Sequence, residues 1–214
     1  FTVFSTRSSK QLNNNVVSTI VQDDKGDLWI GTEGGGVNRF RGDGSVVYYK
    51  HNSNDPYSLG SNLVKVLYKD KEGNIWAGTH GGGLNLFDRS SNRFIRYLYN
   101  AADPYLQGAE ITSLMQDAAG NFWIGTETQG LQLYQKKGSQ LEPLPAPEGF
   151  AKLQRQSILS TLVTSTNITW IGTRRGLYML TPDGGKLLKT DSSIFPVNCL
   201  DEDKQQRIWA RGED

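Results

Sequence analysis

Tryptophan recurs in this chain at Trp29, Trp76, Trp123, Trp170 and Trp209, at intervals of 47, 47, 47 and 39 residues. Its neighbours recur with it: Trp29-Ile-Gly-Thr32, Trp76-Ala-Gly-Thr79, Trp123-Ile-Gly-Thr126 and Trp170-Ile-Gly-Thr173. All five tryptophans of the 214 residues fall in this register. A period of roughly 40–50 residues is the mark of one supersecondary unit repeated in space. Function then becomes a question about a surface built from copies.

The third copy shows what the unit is. Ile111–Met115 is short and mostly apolar, Asp117-Ala-Ala-Gly120 follows, then Asn121–Thr126, Glu127-Thr-Gln-Gly130 and Leu131–Tyr134. Runs of four to six residues parted by Gly, Asp and Asn read as an antiparallel meander. Asp first and Gly fourth suits a type I turn closed at positive φ. The turn recurs as Asp23-Asp-Lys-Gly26 and Asp70-Lys-Glu-Gly73. A fourth strand is expected at Val46–Tyr49 and Phe94–Tyr97, with the looser alternation of an outer edge. No helical periodicity occurs. The fold class predicted is all-β, a β-propeller of four-stranded antiparallel blades. Tryptophan in the second strand is then a wedge between blades, and the Gly and Thr after it fit close blade-to-blade approach.

The fourth copy has Ser165-Thr-Asn-Ile-Thr169 where Asp-x-x-Gly should stand, which predicts a turn one residue shorter. The fifth keeps Asp203, has Gln206 for Gly and reads Trp209-Ala-Arg-Gly212. The predicted segmentation is an outer strand at 1–6, blades at about 14–50, 62–99, 109–145 and 157–190, and the start of a fifth at about 195–214. Phe1-Thr-Val-Phe4 is expected to be an outer strand that would lock a closed ring. About 4.5 blades are present, where seven at this spacing would need about 330 residues, so a fragment of a seven-bladed ring is expected. Its two raw edges predict poor solubility or pairing with another copy.

Composition narrows the function classes. Lys+Arg is 23 against Asp+Glu 22, with no basic block, so no nucleic-acid surface is implied. One cysteine, Cys199, excludes an internal disulfide, and it falls in a predicted inner strand as a buried small residue. His51 and His80 occupy unlike parts of the repeat, with no metal-ligand spacing, so neither metal nor cofactor is expected. No apolar run reaches the ~18 residues of a membrane span.

The pattern Asp-x-x-Gly-x-(Leu/Ile/Phe)-Trp-(Ile/Ala)-Gly-Thr, followed by Gly-(Val/Leu)-Asn-x-Phe, resembles the two-component regulator propeller repeat. The linker Asn52-Ser-Asn-Asp-Pro-Tyr-Ser-Leu59 with Asn62-Leu-Val64 is similar to that family's inter-blade linker. The resemblance covers nearly all of residues 1–212. It implies the extracytoplasmic sensor half of hybrid two-component systems, most abundant in Bacteroidetes. There, two seven-bladed propellers precede a β-sandwich, a membrane helix and a histidine kinase, and many members respond to oligosaccharides. Related propellers precede diguanylate cyclases. The resemblance thus implies a periplasmic segment of a membrane-anchored, homodimeric parent.

Loops between strands two and three, and the linkers between blades, gather on one face of a propeller. They differ between copies while the strands stay alike. The loops carry Glu33, His80, Glu127, Arg174 and Arg175; the linkers carry Tyr57, Asn62 and Tyr105, along with Asn13, Asn14 and Asn15. Carboxylate, amide and Arg groups with Tyr faces suit a sugar, and the two arginines suit a sulfate or uronate. Three readings follow. The first is a ligand-binding sensor of an oligosaccharide or other small ligand, with no chemistry of its own. The second is a propeller-fold polysaccharide hydrolase or lyase, which would need Glu33 and Glu127 about 5–10 Å apart in a deep cleft. The third is a protein-interaction scaffold with a flat apolar face above ~600 Å².

Overall fold

The computed structural model describes residues 12–97, 109–138, 140–145, 149–181, 186–190 and 196–212. The Phe1–Phe4 strand and Tyr105 expected from the sequence lie outside these residues. The chain forms two compact units, Phe1–Ile111 and Thr112–Asp214.

In the first unit, β1 (Val17–Gln22), β2 (Leu28–Thr32), β3 (Gly36–Phe40) and β4 (Val46–Tyr49) form one antiparallel sheet in chain order. A second sheet has β5 (Val64–Lys69), β6 (Ile75–Thr79), β7 (Gly83–Asp88) and β8 (Arg93–Arg96) in the same order. The next sheet holds β9 (Ile111–Gln116), β10 (Phe122–Thr126), β11 (Leu131–Lys137) and β12 (Gln140–Pro143). In the second unit it is followed by β13 (Ile158–Val163), β14 (Thr169–Thr173), β15 (Gly176–Leu180) and β16 (Leu187–Lys189), and by the hairpin β17 (Cys199–Glu202) and β18 (Ile208–Arg211). Among the described residues the one helical element is a 3-10 turn at Phe150–Lys152. This is a β-propeller built of four-stranded meander blades.

The repeated aspartate works as an acceptor hub. Asp23 Oδ1 accepts the backbone N–H groups of Lys25 and Asp27 at 2.9 and 3.1 Å, while Oδ2 accepts the Trp29 indole N–H at 3.1 Å. Asp70, Asp117 and Asp203 receive their own tryptophans at 2.8, 3.1 and 2.9 Å. One carboxylate thus closes the β1–β2 type of turn and fixes the indole. The fourth copy corrects the sequence reading. Its turn runs Thr164 to Asn167 and is no shorter, with Asn167 N–H bonded to the Thr164 carbonyl at 2.9 Å. Asn167 takes φ 62°, the left-handed value that glycine holds elsewhere, and Gln206 does the same in the fifth copy. Thr164 Oγ1 accepts the Ile168 N–H at 2.9 Å in place of the carboxylate, but it has no second oxygen for an indole.

Trp29 is the wedge predicted. It is fully buried, stacks on Tyr49 of its own blade at 5.7 Å and meets Phe87 of the next blade edge-on at 4.6 Å. Arg39 lies 4.6 Å from its ring centroid and pairs with Asp27 at 2.8 Å, and Arg89 of the next blade reaches Asp23 at 3.5 Å. Burying a ring of this size removes about 200 Å² from water, worth about 5 kcal/mol.

The glycine after it allows the close approach. A Cβ at Gly31 would sit 2.7 Å from Val64 Cγ1 of the neighbouring blade and 2.6 Å from Thr19 Cγ2. The threonine is fully buried, and it has a second role besides. Thr32 Oγ1 donates to the Gly36 carbonyl at 3.0 Å, and Thr79, Thr126 and Thr173 donate likewise to Gly83, Gly130 and Gly176 at 2.9, 2.8 and 2.9 Å. It staples the strand two–three loop of its own blade.

Cys199 is also corrected. It lies in β17 but is exposed, because the β17–β18 hairpin has no fully buried residue and Trp209 is 60% exposed. A strand buries its side chains only where another layer covers its face.

Candidate functional site

In blades 1 and 2 a buried asparagine fixes the incoming linker. Asn38 Oδ1 accepts the Asn13 N–H at 3.0 Å, and Asn85 Oδ1 accepts the Gly60 N–H at 2.8 Å. Asn85 Nδ2 in turn donates to the Ala77 and Gly83 carbonyls at 3.2 and 3.1 Å. The fourth blade has Tyr178 at the matching position in β15, and a phenol cannot reproduce an amide's paired donor and acceptor. Its linker is anchored differently. Gly149 turns at φ 88° into the 3-10 helix, Phe150 packs against Trp123 at 5.4 Å, and Leu153 is buried. The Leu153 carbonyl crosses directly over Gly130, where any Cβ would collide with it. Side chains three apart share one face of a 3-10 turn. With Phe150 and Leu153 facing inward, Lys152, Gln154 and Arg155 are left in solvent. Arg155 holds φ 60°, an uncommon conformation for a residue with a side chain.

Against this linker stand the loops after β10 and β14. Between them lies an open cleft of about 650 Å³. Glu127 is held on two sides: Oε1 accepts Arg174 Nη2 at 2.7 Å, and Oε2 accepts the Ser157 hydroxyl at 2.8 Å. Arg174 Nε closes the ring on Ser157 Oγ at 3.3 Å. The pair is too exposed to add much stability, about 0–1 kcal/mol. Its effect is to orient a guanidinium at the cleft wall. Arg175, Arg155 and Lys152 complete a lining with four cations and a single carboxylate. Gln156 contributes a buried Oε1 with no hydrogen-bond partner among the described residues.

Three sequence-predicted residues, Glu127, Arg174 and Arg175, therefore meet in one place. Glu33 and His80 belong to the first unit, each with its own partner. Lys65 Nζ reaches Glu33 at 2.8 Å, and His80 Nε2 lies 3.3 Å from Glu110 Oε1. Lys65 stands in a β-bulge between Val64 and Val66, a device that re-aims side chains. The linker residues of the first unit are occupied in holding the backbone. The Asn62 carbonyl accepts the N–H groups of Gly34 and Gly36, and its Oδ1 accepts the His51 N–H at 2.7 Å. Asn14 donates to the Glu33 carbonyl at 2.8 Å. Tyr57 is exposed in a loop that Arg96 of β8 ties down through the carbonyls of Asn52, Asp55 and Ser58. Lys152, Arg155, Gln156 and Ser157 were missed from the sequence. The signal was there: Tyr178 stands where Asn38 and Asn85 stand in their blades, so the linker before β13 has to be held another way. Among the described residues no group of three His, Cys, Asp or Glu side chains could hold a metal ion, and no helix is long and apolar enough to cross a membrane.

The meander blades and their aspartate–tryptophan turns define a β-propeller of repeated four-stranded units. Residues 11–34, 58–81 and 105–128 match the model of the two component regulator propeller, so the chain carries repeats of that family. None of the curated proteins matches it. Among solved structures it is similar to the extracellular domain of a protein from B. thetaiotaomicron described as a hybrid two component system. That likeness has 24% identity and a TM-score of 0.74, over 93% of this chain and 26% of that one. A second such domain from the same organism is 19% identical with a TM-score of 0.76, over 97% of this chain and 30% of that one. The virginiamycin B lyase of Staphylococcus aureus is 15% identical with a TM-score of 0.65, over 93% of this chain and 64% of that one. The chain spans between a quarter and a third of the first two proteins, and all three likenesses speak for the fold.

Proposed function

We propose that this propeller is the extracytoplasmic ligand-sensing part of a two-component sensor. It recognises an oligosaccharide and signals to a histidine kinase carried by a membrane-anchored, homodimeric parent. The regulator propeller repeats support the sensor reading. The observation that carries ligand binding is the cleft of about 650 Å³. Its wall combines oriented charge at Glu127 and Arg174 with uncharged polar groups of Gln154, Gln156 and Ser157. Sugar hydroxyls both donate and accept, and such a wall answers both. A ligand shifts the signalling equilibrium only by its differential affinity for the two arrangements of the parent.

Acid–base hydrolysis needs two carboxyl groups flanking the bond to be cut. The cleft offers Glu127 alone, already engaged by Arg174 and Ser157, so the module is read as binding without turnover. Isothermal titration of the parent's extracytoplasmic portion against a panel of neutral and acidic glycan fragments tests the proposal. Binding of one class with autophosphorylation following occupancy is the expected result. Absence of heat across the whole panel, or release of shortened sugars, would sink it.

A further inference from the structure

We infer that the cleft between the linker 149–157 and the loops after β10 and β14 takes an acidic saccharide, and that its carboxylate or sulfate lies against Arg174 and Arg175. The inference rests on the sensor reading above and narrows its ligand to an anionic class.

The charge of the cleft is its least ordinary property. The whole chain is almost neutral, with 23 basic and 22 acidic residues, yet the cleft concentrates four cations around one carboxylate. That carboxylate is not free to receive a ligand, since Glu127 is spent on Arg174 and Ser157. Among the described residues the side chains of Lys152, Arg155 and Arg175 have no carboxylate opposite them. Unpaired cations facing a common hollow raise the local potential and favour an anion there.

The arginines also have the right form. Arg174 uses Nε toward Ser157 and Nη2 toward Glu127, so its plane is fixed while Nη1 stays available. A guanidinium held in this way presents a planar fork that matches a carboxylate or sulfate. Arg175 follows directly, its backbone N–H fastened to Thr173 Oγ1 at 3.0 Å. Across the cleft, Arg155 is presented from a left-handed backbone position, a conformation kept only where the surroundings enforce it. Gln154, Gln156 and Ser157 add uncharged polar groups to the same lining, which suit the hydroxyls of a saccharide. A bare inorganic anion would meet the arginines alone; an acidic saccharide meets the arginines and the uncharged polar groups together.

Titration of the full chain against an oligogalacturonate tetrasaccharide, a sulfated carrageenan tetrasaccharide and neutral maltotetraose separates carboxylate from sulfate and both from neutral sugar. R155A and R175A are the variants, because neither side chain holds the fold together, and melting temperatures matching the parent's verify this. The expected result is binding of one acidic probe, weakened about tenfold or more by each variant and weakened again by added salt. Inorganic sulfate is expected to compete only weakly. Binding of maltotetraose alone overturns the anionic inference and leaves the saccharide sensor standing. Binding of an acidic probe that neither variant alters moves the site elsewhere and overturns it as well. So does silence with both acidic probes.

Discussion

Asp23 and Asp203 perform the same task in opposite surroundings, and this makes a controlled experiment. Each carboxylate closes a four-residue turn and accepts its tryptophan's indole N–H, at 3.1 and 2.9 Å. The Asp23 side chain is wholly buried beneath Trp29 and Arg39, whereas Trp209 is 60% exposed. Asn has nearly the same shape as Asp but exchanges one acceptor for a donor. In Asp23→Asn the amide oxygen can serve the turn or the indole, and the amide nitrogen then faces the N–H groups of the other. Either way at least one buried donor loses its acceptor, and Arg89 loses its countercharge at 3.5 Å. A lost charge-assisted bond and an unpaired buried donor each cost about 1–3 kcal/mol, so a loss of about 3 kcal/mol is expected. For a chain of this size that lowers the melting temperature by about 10 °C. In Asp203→Asn water reaches the same groups, and little change is expected. Both variants are measured beside the parent by thermal and urea unfolding, followed by far-UV circular dichroism. Equal shifts for the two would refute the claim that burial, rather than the turn itself, gives the hub its weight.

Other outcomes follow from the same contacts. Trp29→Ala removes the wedge between two blades and should cost about 3–5 kcal/mol, read as a lower urea midpoint. Asn85→Ala strands the Gly60 N–H and should cost about 2 kcal/mol, with faster amide exchange in the linker 52–62 as its signature. Glu127→Gln should leave the melting temperature unchanged, because the pair it breaks is exposed, while it loosens Arg174 and weakens binding of an acidic saccharide. Acid unfolding should report Asp23. Burial alone would raise its pKa, but the Trp29 indole, the Lys25 and Asp27 N–H groups and Arg89 together hold it below the ordinary 3.8. A depressed folded pKa contributes stability above pH 3.8 that is lost as pH falls through the folded value, so Asp23→Asn should flatten the acid limb of a stability-versus-pH curve.

Most of the fold was legible because the residues that form it are repeated and act locally. Asp-x-x-Gly specifies a turn through backbone conformation, and Trp six residues later specifies which face is buried. Errors arose where a different residue type did the same work. Asn167 and Gln206 adopt the left-handed conformation without being glycine, and Thr164 caps the turn without a carboxylate. The spacing of six to Trp170 and Trp209 had kept the turn length all along. The second role of Thr32 and its equivalents is not legible, because a hydroxyl bonded to its own loop leaves no mark on hydrophobic periodicity. The exposure of Cys199 is not legible either, because strand pattern does not tell whether another layer covers the face.

The cleft shows why a repeat protein's binding residues are hard to read one at a time. Arg174 and Glu127 lie 47 residues apart, one repeat period, and each alone is an ordinary charged loop tip. They meet because the loops of successive blades stack. Behind the cleft lies a third departure from the first two blades, Tyr178 at the position of the clamping asparagine. Tyr178 reaches the linker to β13 through its hydroxyl, 3.5 Å from Gln156 Nε2, while Phe150 and Leu153 seat the linker in the core and Lys152 and Arg155 line the cleft with the arginines. The clamping asparagine of blades 1 and 2 is Gln132 in blade 3 and Tyr178 in blade 4, so the departures fall in the two blades whose loops line the cleft. Restoring the clamp by Tyr178→Asn tests the part Tyr178 plays. Arg155 should then leave the cleft, and binding of an acidic saccharide should fall although none of the four cations has been touched. Unchanged binding would mean that the linker's course is set by Phe150 and Leu153 alone.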